Sequence, residues 1–170
     1  MAYTTINKST AHHNTNLFTS NGSQTSQTGL GFRPDLVWNK SRSNSNSHVL
    51  CTSVLGTGKF LASNNNDSET TATGTVSSFD SDGFTLSADS GGYGNTSGRT
   101  YANWCWKANG TGSSNTDGSV TSTVSVNSTA GFSISKYTGT GSNLTFGHGL
   151  GAIPDWFMIK NLSVGQAWRV

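Results

Sequence analysis

Apolar residues in this chain alternate with polar ones instead of recurring at helical spacing. Val124-Ser125-Val126 and Phe132-Ser133-Ile134-Ser135 show the pattern, and a two-residue period belongs to a strand with one buried face. No 11-residue window supports an amphipathic helix. The alternation predicts strands over 17–20, 36–40, 48–54, 59–63, 75–79, 83–87 and 100–107, then 120–126, 132–137 and 156–160. Between them stand turn formers such as Gly56-Thr57-Gly58, Asn64-Asn65-Asn66-Asp67 and Ser81-Asp82-Gly83, residues that tolerate positive φ or cap a turn with a side chain. Asp82-Gly83 between Phe79 and Phe84 reads as the centre of a type I′ hairpin. Short strands at spacings of about ten residues predict an all-β fold, an antiparallel β-sandwich.

The chain also repeats itself. Leu30-Gly31-Phe32-Arg33-Pro34-Asp35-Leu36-Val37-Trp38-Asn39-Lys40 returns as Leu150-Gly151-Ala152-Ile153-Pro154-Asp155-Trp156-Phe157-Met158-Ile159-Lys160, 120 positions on. Upstream, Phe18-Thr19-Ser20-Asn21-Gly22-Ser23 matches Tyr137-Thr138-Gly139-Thr140-Gly141-Ser142 at an offset of 119. Solenoid periods run at roughly 20–50 residues, so this is a duplicated domain. Each proline opens a strand, where a missing N–H costs no ladder bond. The expected organisation is an N-terminal arm over 1–16, a first sandwich unit over 17–108, a Gly/Ser/Thr linker over 109–118 and a partial second copy over 119–170. Val170 aligns with Leu50, so the second copy lacks the positions with which the first completes its sheets. Either neighbouring subunits supply them or the native chain runs on, and the longer chain is the expectation.

Ser, Thr and Asn make up roughly 40% of the 170 residues, while aromatics reach 10% with five Trp and the net charge is +2. So many aromatics and so little charge describe a folded chain with polar faces, not a solvated linker. The ten Lys and Arg are scattered, which argues against nucleic acid as a partner. No apolar run is long enough for a membrane span. The first residues carry no apolar core of a secretory signal, so synthesis in a cytoplasm and reduced Cys51 and Cys105 are expected.

Little in the sequence points to catalysis, a cofactor or a metal. The eight Asp and Glu sit mostly in turn contexts. Asp80-Ser81-Asp82-Gly83 hints at a calcium loop but lacks the closing bidentate Glu. His12 and His13 point to opposite faces of an extended chain and make a poor chelate. Gly147-His148-Gly149-Leu150-Gly151 is not followed by the helix that a phosphate cradle needs. Expected core residues are Trp38, Phe79, Phe84, Trp104 and Trp106, since two tryptophans on one face of the 100–107 strand would bury some 150–250 Å² each. Gly91-Gly92-Tyr93-Gly94 is a hairpin tip whose aromatic could stack on a sugar, which makes Tyr93 and Asn95 candidate glycan contacts.

These runs resemble a family of uncharacterised virion proteins encoded by tailed phages, many from marine and cyanobacterial hosts. The resemblance rests on 31–43, 48–54, 78–86, Trp104-Cys105-Trp106-Lys107-Ala108, Gly131-Phe132-Ser133-Ile134 with Tyr137-Thr138-Gly139-Thr140-Gly141, 147–151 and 154–161. It covers nearly the whole chain from Tyr3. Two departures stand out: Asn39 replaces a usual apolar residue, and Cys51 a common acid. The resemblance implies a jelly-roll or concanavalin-like sandwich in tail fibres or related appendages, with no catalytic, ligand or cofactor residues to carry over. The expectation is therefore a non-enzymatic structural protein, made in the host cytoplasm and residing in the virion. Its expected partners are other virion proteins and copies of itself, a trimer being favoured. The alternative is a lectin-like module for host surface glycans.

Overall fold

A computed structural model describes residues 6–170; of the expected arm, residues 1–5 lie outside the described part. A short 3-10 turn, Ser9–Ala11, leads into twelve strands: β1 (His13–Thr19), β2 (Thr25–Gln27), β3 (Leu36–Ser41), β4 (Val49–Thr52), β5 (Lys59–Ala62), β6 (Thr70–Thr71), β7 (Val76–Asp80), β8 (Gly83–Leu86), β9 (Thr100–Trp106), β10 (Ser113–Asn115), β11 (Ser122–Asn127) and β12 (Phe132–Tyr137). The fold is all-β and every strand pair is antiparallel. A six-stranded sheet ordered β1-β9-β3-β4-β5-β6 faces a three-stranded sheet ordered β2-β8-β7, and β10-β11-β12 form a third sheet.

The core lies between the first two sheets. Val37, Val49, Cys51, Phe60, Ala62 and Cys105 from the large sheet meet Val76, Phe84 and Leu86 from the small one, closed by Leu30 and Phe32. Both cysteines are buried free thiols, cross-strand neighbours of Val37. Burial pushes each thiol up to about 12, so both behave as small hydrophobes. The β7–β8 hairpin forms where expected, but not as a type I′ turn. Asp80 pairs with Gly83, leaving Ser81 and Asp82 as the loop, and among the described residues no non-glycine has positive φ. Gly83 is needed for another reason: a Cβ there would lie 1.8 Å from the Gln27 carbonyl of neighbouring β2.

Three expectations are corrected. First, β1 begins at His13, inside the stretch assigned to the arm, and the expected linker carries β10, paired to β11. Second, 156–160 forms no strand and contributes only a bridge between Ile159 and Arg169. Third, Trp38, Trp104 and Trp106 are not in the core. They are half-buried on the outer face of the large sheet, because Val37, Asn39 and Ser41 of β3 and Tyr101, Asn103 and Cys105 of β9 point inward. An asparagine row occupies that inner face. Asn16, Asn103 and Asn39 stand in register across β1, β9 and β3. Asn39 Nδ2 donates to Asn103 Oδ1 (2.7 Å) and Asn103 Nδ2 to Asn16 Oδ1 (3.2 Å). Paired amides can be buried where lone ones cannot; Asn39 Nδ2 is paired in this row, while its Oδ1 stays buried without a partner. Phe84 is fully buried as expected, and Phe79 packs against the core's edge.

The duplication is written in the backbone. Gly29 and Gly31 have φ of +85° and +84°, and their counterparts Gly149 and Gly151 both +73°. Gly22 and its counterpart Gly141 share the left-handed region at +81° and +79°. The turn over Ser9-Thr10-Ala11 recurs over Ser128-Thr129-Ala130, with Ala11 N to Lys8 O and Ala130 N to Asn127 O both at 3.1 Å. This match extends the repeat upstream of the blocks recognised from sequence. The Ile159–Arg169 bridge is the counterpart, 120 positions on, of the Asn39–Val49 rung between β3 and β4.

Candidate functional site

Two regions present chemistry at the surface: a polar cleft with the aromatic sheet face beside it, and the hairpin of the second copy. The cleft, about 400 Å³, is lined by Ser45, Asn46, Ser47, Gly91, Gly92, Tyr93 and Arg99. The 90–95 loop is held from below. Asp89 accepts hydrogen bonds from Gly91 N (2.8 Å), Gly92 N (2.9 Å), Asn95 N (3.4 Å) and Thr96 Oγ1 (2.7 Å). Partial burial opposes its ionisation, but these donors outweigh it and hold the carboxyl below its ordinary value. Asn46 Nδ2 donates across the cleft to Gly92 O.

Of the two candidate glycan contacts, the structure brings only Tyr93 to this cleft. Its ring packs 4.9 Å from Phe60, so one face is committed to the core side. Asn95 is fully buried. Its Nδ2 donates to Ser23 O (2.7 Å) and Ser87 O (2.9 Å), and its Oδ1 accepts from Ser20 Oγ (2.6 Å). It is a structural clamp with no atom to offer a ligand. Arg99, which sequence reasoning passed over, lines the cleft, and its Nη1 is buried without a hydrogen-bond partner. Lys40, in β3, and Arg42, just after it, precede the Ser45-Asn46-Ser47 lining in sequence. Only the fold, by pairing Arg42 N with Thr100 O (2.8 Å), unites these positions.

On the outer sheet face, Trp38 and Trp104 meet edge to face at 6.3 Å, and Trp38 Nε1 donates to His48 Nδ1 at 2.8 Å. The bond requires an unprotonated Nδ1. Burial, then the Lys40 charge, lowers the His48 pKa in agreement. Trp106 is flanked by His13 (4.7 Å) and by Phe132 of the third sheet (6.3 Å). Among the described residues, no three His, Cys, Asp or Glu side chains gather as metal ligands, and no helix is long and apolar enough to cross a membrane.

The second region is read best against its first-copy twin. There Asp35 ties three strands together. Its N donates to Trp106 O (2.8 Å), its O accepts from Ser53 N (2.9 Å), and its carboxylate accepts from Ala108 N (2.7 Å) and pairs with Arg33. Asp82 receives Gly29 N (3.0 Å) and Gly31 N (2.6 Å) on its two oxygens. In the second copy, Asp155 is exposed and Ile153 stands in place of Arg33. Ile153, Trp156 and Phe157 are 92%, 65% and 53% exposed, whereas Val37, the twin of Phe157, is 0%.

Residues 8–170 match the family model described as "Domain of unknown function (DUF7483)". The chain belongs to the DUF7483 family. No curated protein and no solved structure matches it. The DUF7483 match starts just before the Ser9–Ala11 turn and takes in both copies of the repeat, so the unit and its partial duplicate fall within one family model.

Proposed function

We propose that this DUF7483 chain is a structural subunit of a tailed-phage virion, a tail-fibre or appendage component that works by strand-to-strand assembly. The observation that carries the reading is the second hairpin. It has the glycine conformations and the β3–β4 rung of the first, yet its apolar side chains and outer strand edge face solvent. Exposed edges and apolar faces of this kind are aggregation hazards unless a partner covers them, and a protein that assembles by its edges needs them open. The sequence resemblance to tailed-phage virion proteins supports the same reading. Peptide mass spectrometry and immunogold labelling of purified particles test it. The chain should appear in particles at a fixed copy number, on an appendage; its absence from particles would refute the assignment.

A second reading, a module for host surface glycans, is favoured by one specific feature. The cleft beside Tyr93 is lined by hydroxyl, amide and backbone polar groups and by Arg99, a set suited to a carboxylated sugar. Glycan-array binding that Arg99→Ala abolishes would support this reading, and no binding across acidic glycans would dismiss it.

A further inference from the structure

We propose that the free edge of 155–160 is a docking site for one kind of partner, a β-strand with the chemistry of β9 and its Lys107-Ala108 exit, accompanied by a carboxylate placed as Asp82 is. The inference deepens the assembly reading and rests on it for its biological setting alone.

The repeat identifies which edge is open. On one side of the hairpin, Ile159 and Arg169 exchange two backbone bonds, 2.8 and 3.0 Å, in the register of Asn39 and Val49. That edge is therefore the one β3 gives to β4. The opposite edge is the one β3 gives to β9, with Leu36 against Trp106 through Ser41 against Tyr101. In the second copy Asp155, Trp156, Phe157 and Met158 make no backbone hydrogen bond, so an extended segment stands with its pairing groups unused.

Hydrogen-bond and charge complementarity define the occupant. Gly149 and Gly151 keep the left-handed turn that in the first copy aims two N–H groups at Asp82, but no acceptor meets them here. The partner must bring a carboxylate at that end. At the other end Asp155 waits for what Ala108 N gives Asp35, a backbone N–H just past the strand. Between them, Phe157 takes the place of Val37, which in the first copy lies beside Cys51 and Cys105 under full cover. The partner strand must therefore present small apolar side chains inward at the Cys105 position. A folded second copy does not meet this demand, because its β9 is already held between β1 and β3. The donor is a strand that is not yet paired.

The test uses the chain of residues 1–170 and a synthetic peptide with the sequence of residues 99–108, followed by amide hydrogen exchange. Saturating peptide should slow exchange at 155–160 at least tenfold and leave 36–41 unchanged. Phe157→Lys should abolish the effect while preserving the protection of 36–41, which shows that the variant is folded. Four results would overturn the proposal: no slowing at 155–160, equal slowing by a scrambled peptide, slowing at 36–41 instead, or protection of 155–160 that grows with protein concentration without peptide. The last would mean that copies of this chain cover the face. None of these depends on where the protein sits in a particle, so the virion assignment stands or falls separately.

Discussion

The blocks 29–41 and 149–161 share a backbone path and differ in their surroundings. In both, two left-handed glycines precede the proline, the chain bends at the aspartate, and the residue two before the serine or asparagine end makes the same rung to the returning strand. The first block then becomes a six-residue strand with a fully buried Val37. The second remains an extended segment with Phe157 half in water. The local sequence thus sets turns and bends, which need only neighbours in the chain. A strand with a buried face also needs β9 and the small sheet, and among the described residues those cover the first block.

The largest effect should separate the two copies outright. Phe84→Ala empties the centre of the first core and should cost about 3–5 kcal/mol in denaturant unfolding. Phe157→Ala should change stability by no more than about 0.5 kcal/mol, as surface substitutions do. Next comes the asparagine row. Asn103→Ala strands the buried amide of Asn39 and removes the donor to Asn16, for an expected loss of about 2 kcal/mol by the same measurement. Asp82→Ala should cost less, about 1 kcal/mol, since its two acceptor bonds to Gly29 and Gly31 are exposed. It should speed amide exchange at 29–31 and leave 149–151, which never had that carboxylate, unchanged.

The smallest effect is on pH. Burial, joined at His48 by Lys40, lowers the pKa of His13 and His48 from 6.5, so the unfolded chain takes up protons first. Stability is then complete above 6.5 and declines as pH falls from there toward the folded values. Unfolding midpoints at pH 7.5 and 5.5 should show the decline, and His48→Phe should reduce it. The Trp38 indole should lose its acceptor over the same range, which a shift in its Nε1–H resonance would report.

Alternation made nine of the twelve strands legible, because runs such as 132–137 carry a full half-buried period. It missed β2, β6 and β10, which are two or three residues long and too short to alternate. It also placed β9 with the wrong face inward. Size pointed to Trp104 and Trp106 for the core, but the inward asparagines hydrogen-bond in a row across three strands, a compensation visible only once the register is known. The cleft was half legible. Tyr93 stood out as a loop aromatic, whereas Arg99 and Asn46 come together through β9 pairing and carry no local signal. Asn95 read as an exposed loop amide because nothing in its neighbours announces that Ser20, Ser23 and Ser87 enclose it.

Amide hydrogen exchange on the isolated protein compares the two blocks most directly. If the second copy shares the first's turns but lacks its covering strand, amides at 36–41 should be protected to near the global stability, while 155–158 exchange close to the rate of an open chain and Ile159 shows intermediate protection. Equal protection of the two blocks in dilute, monomeric protein would contradict the account.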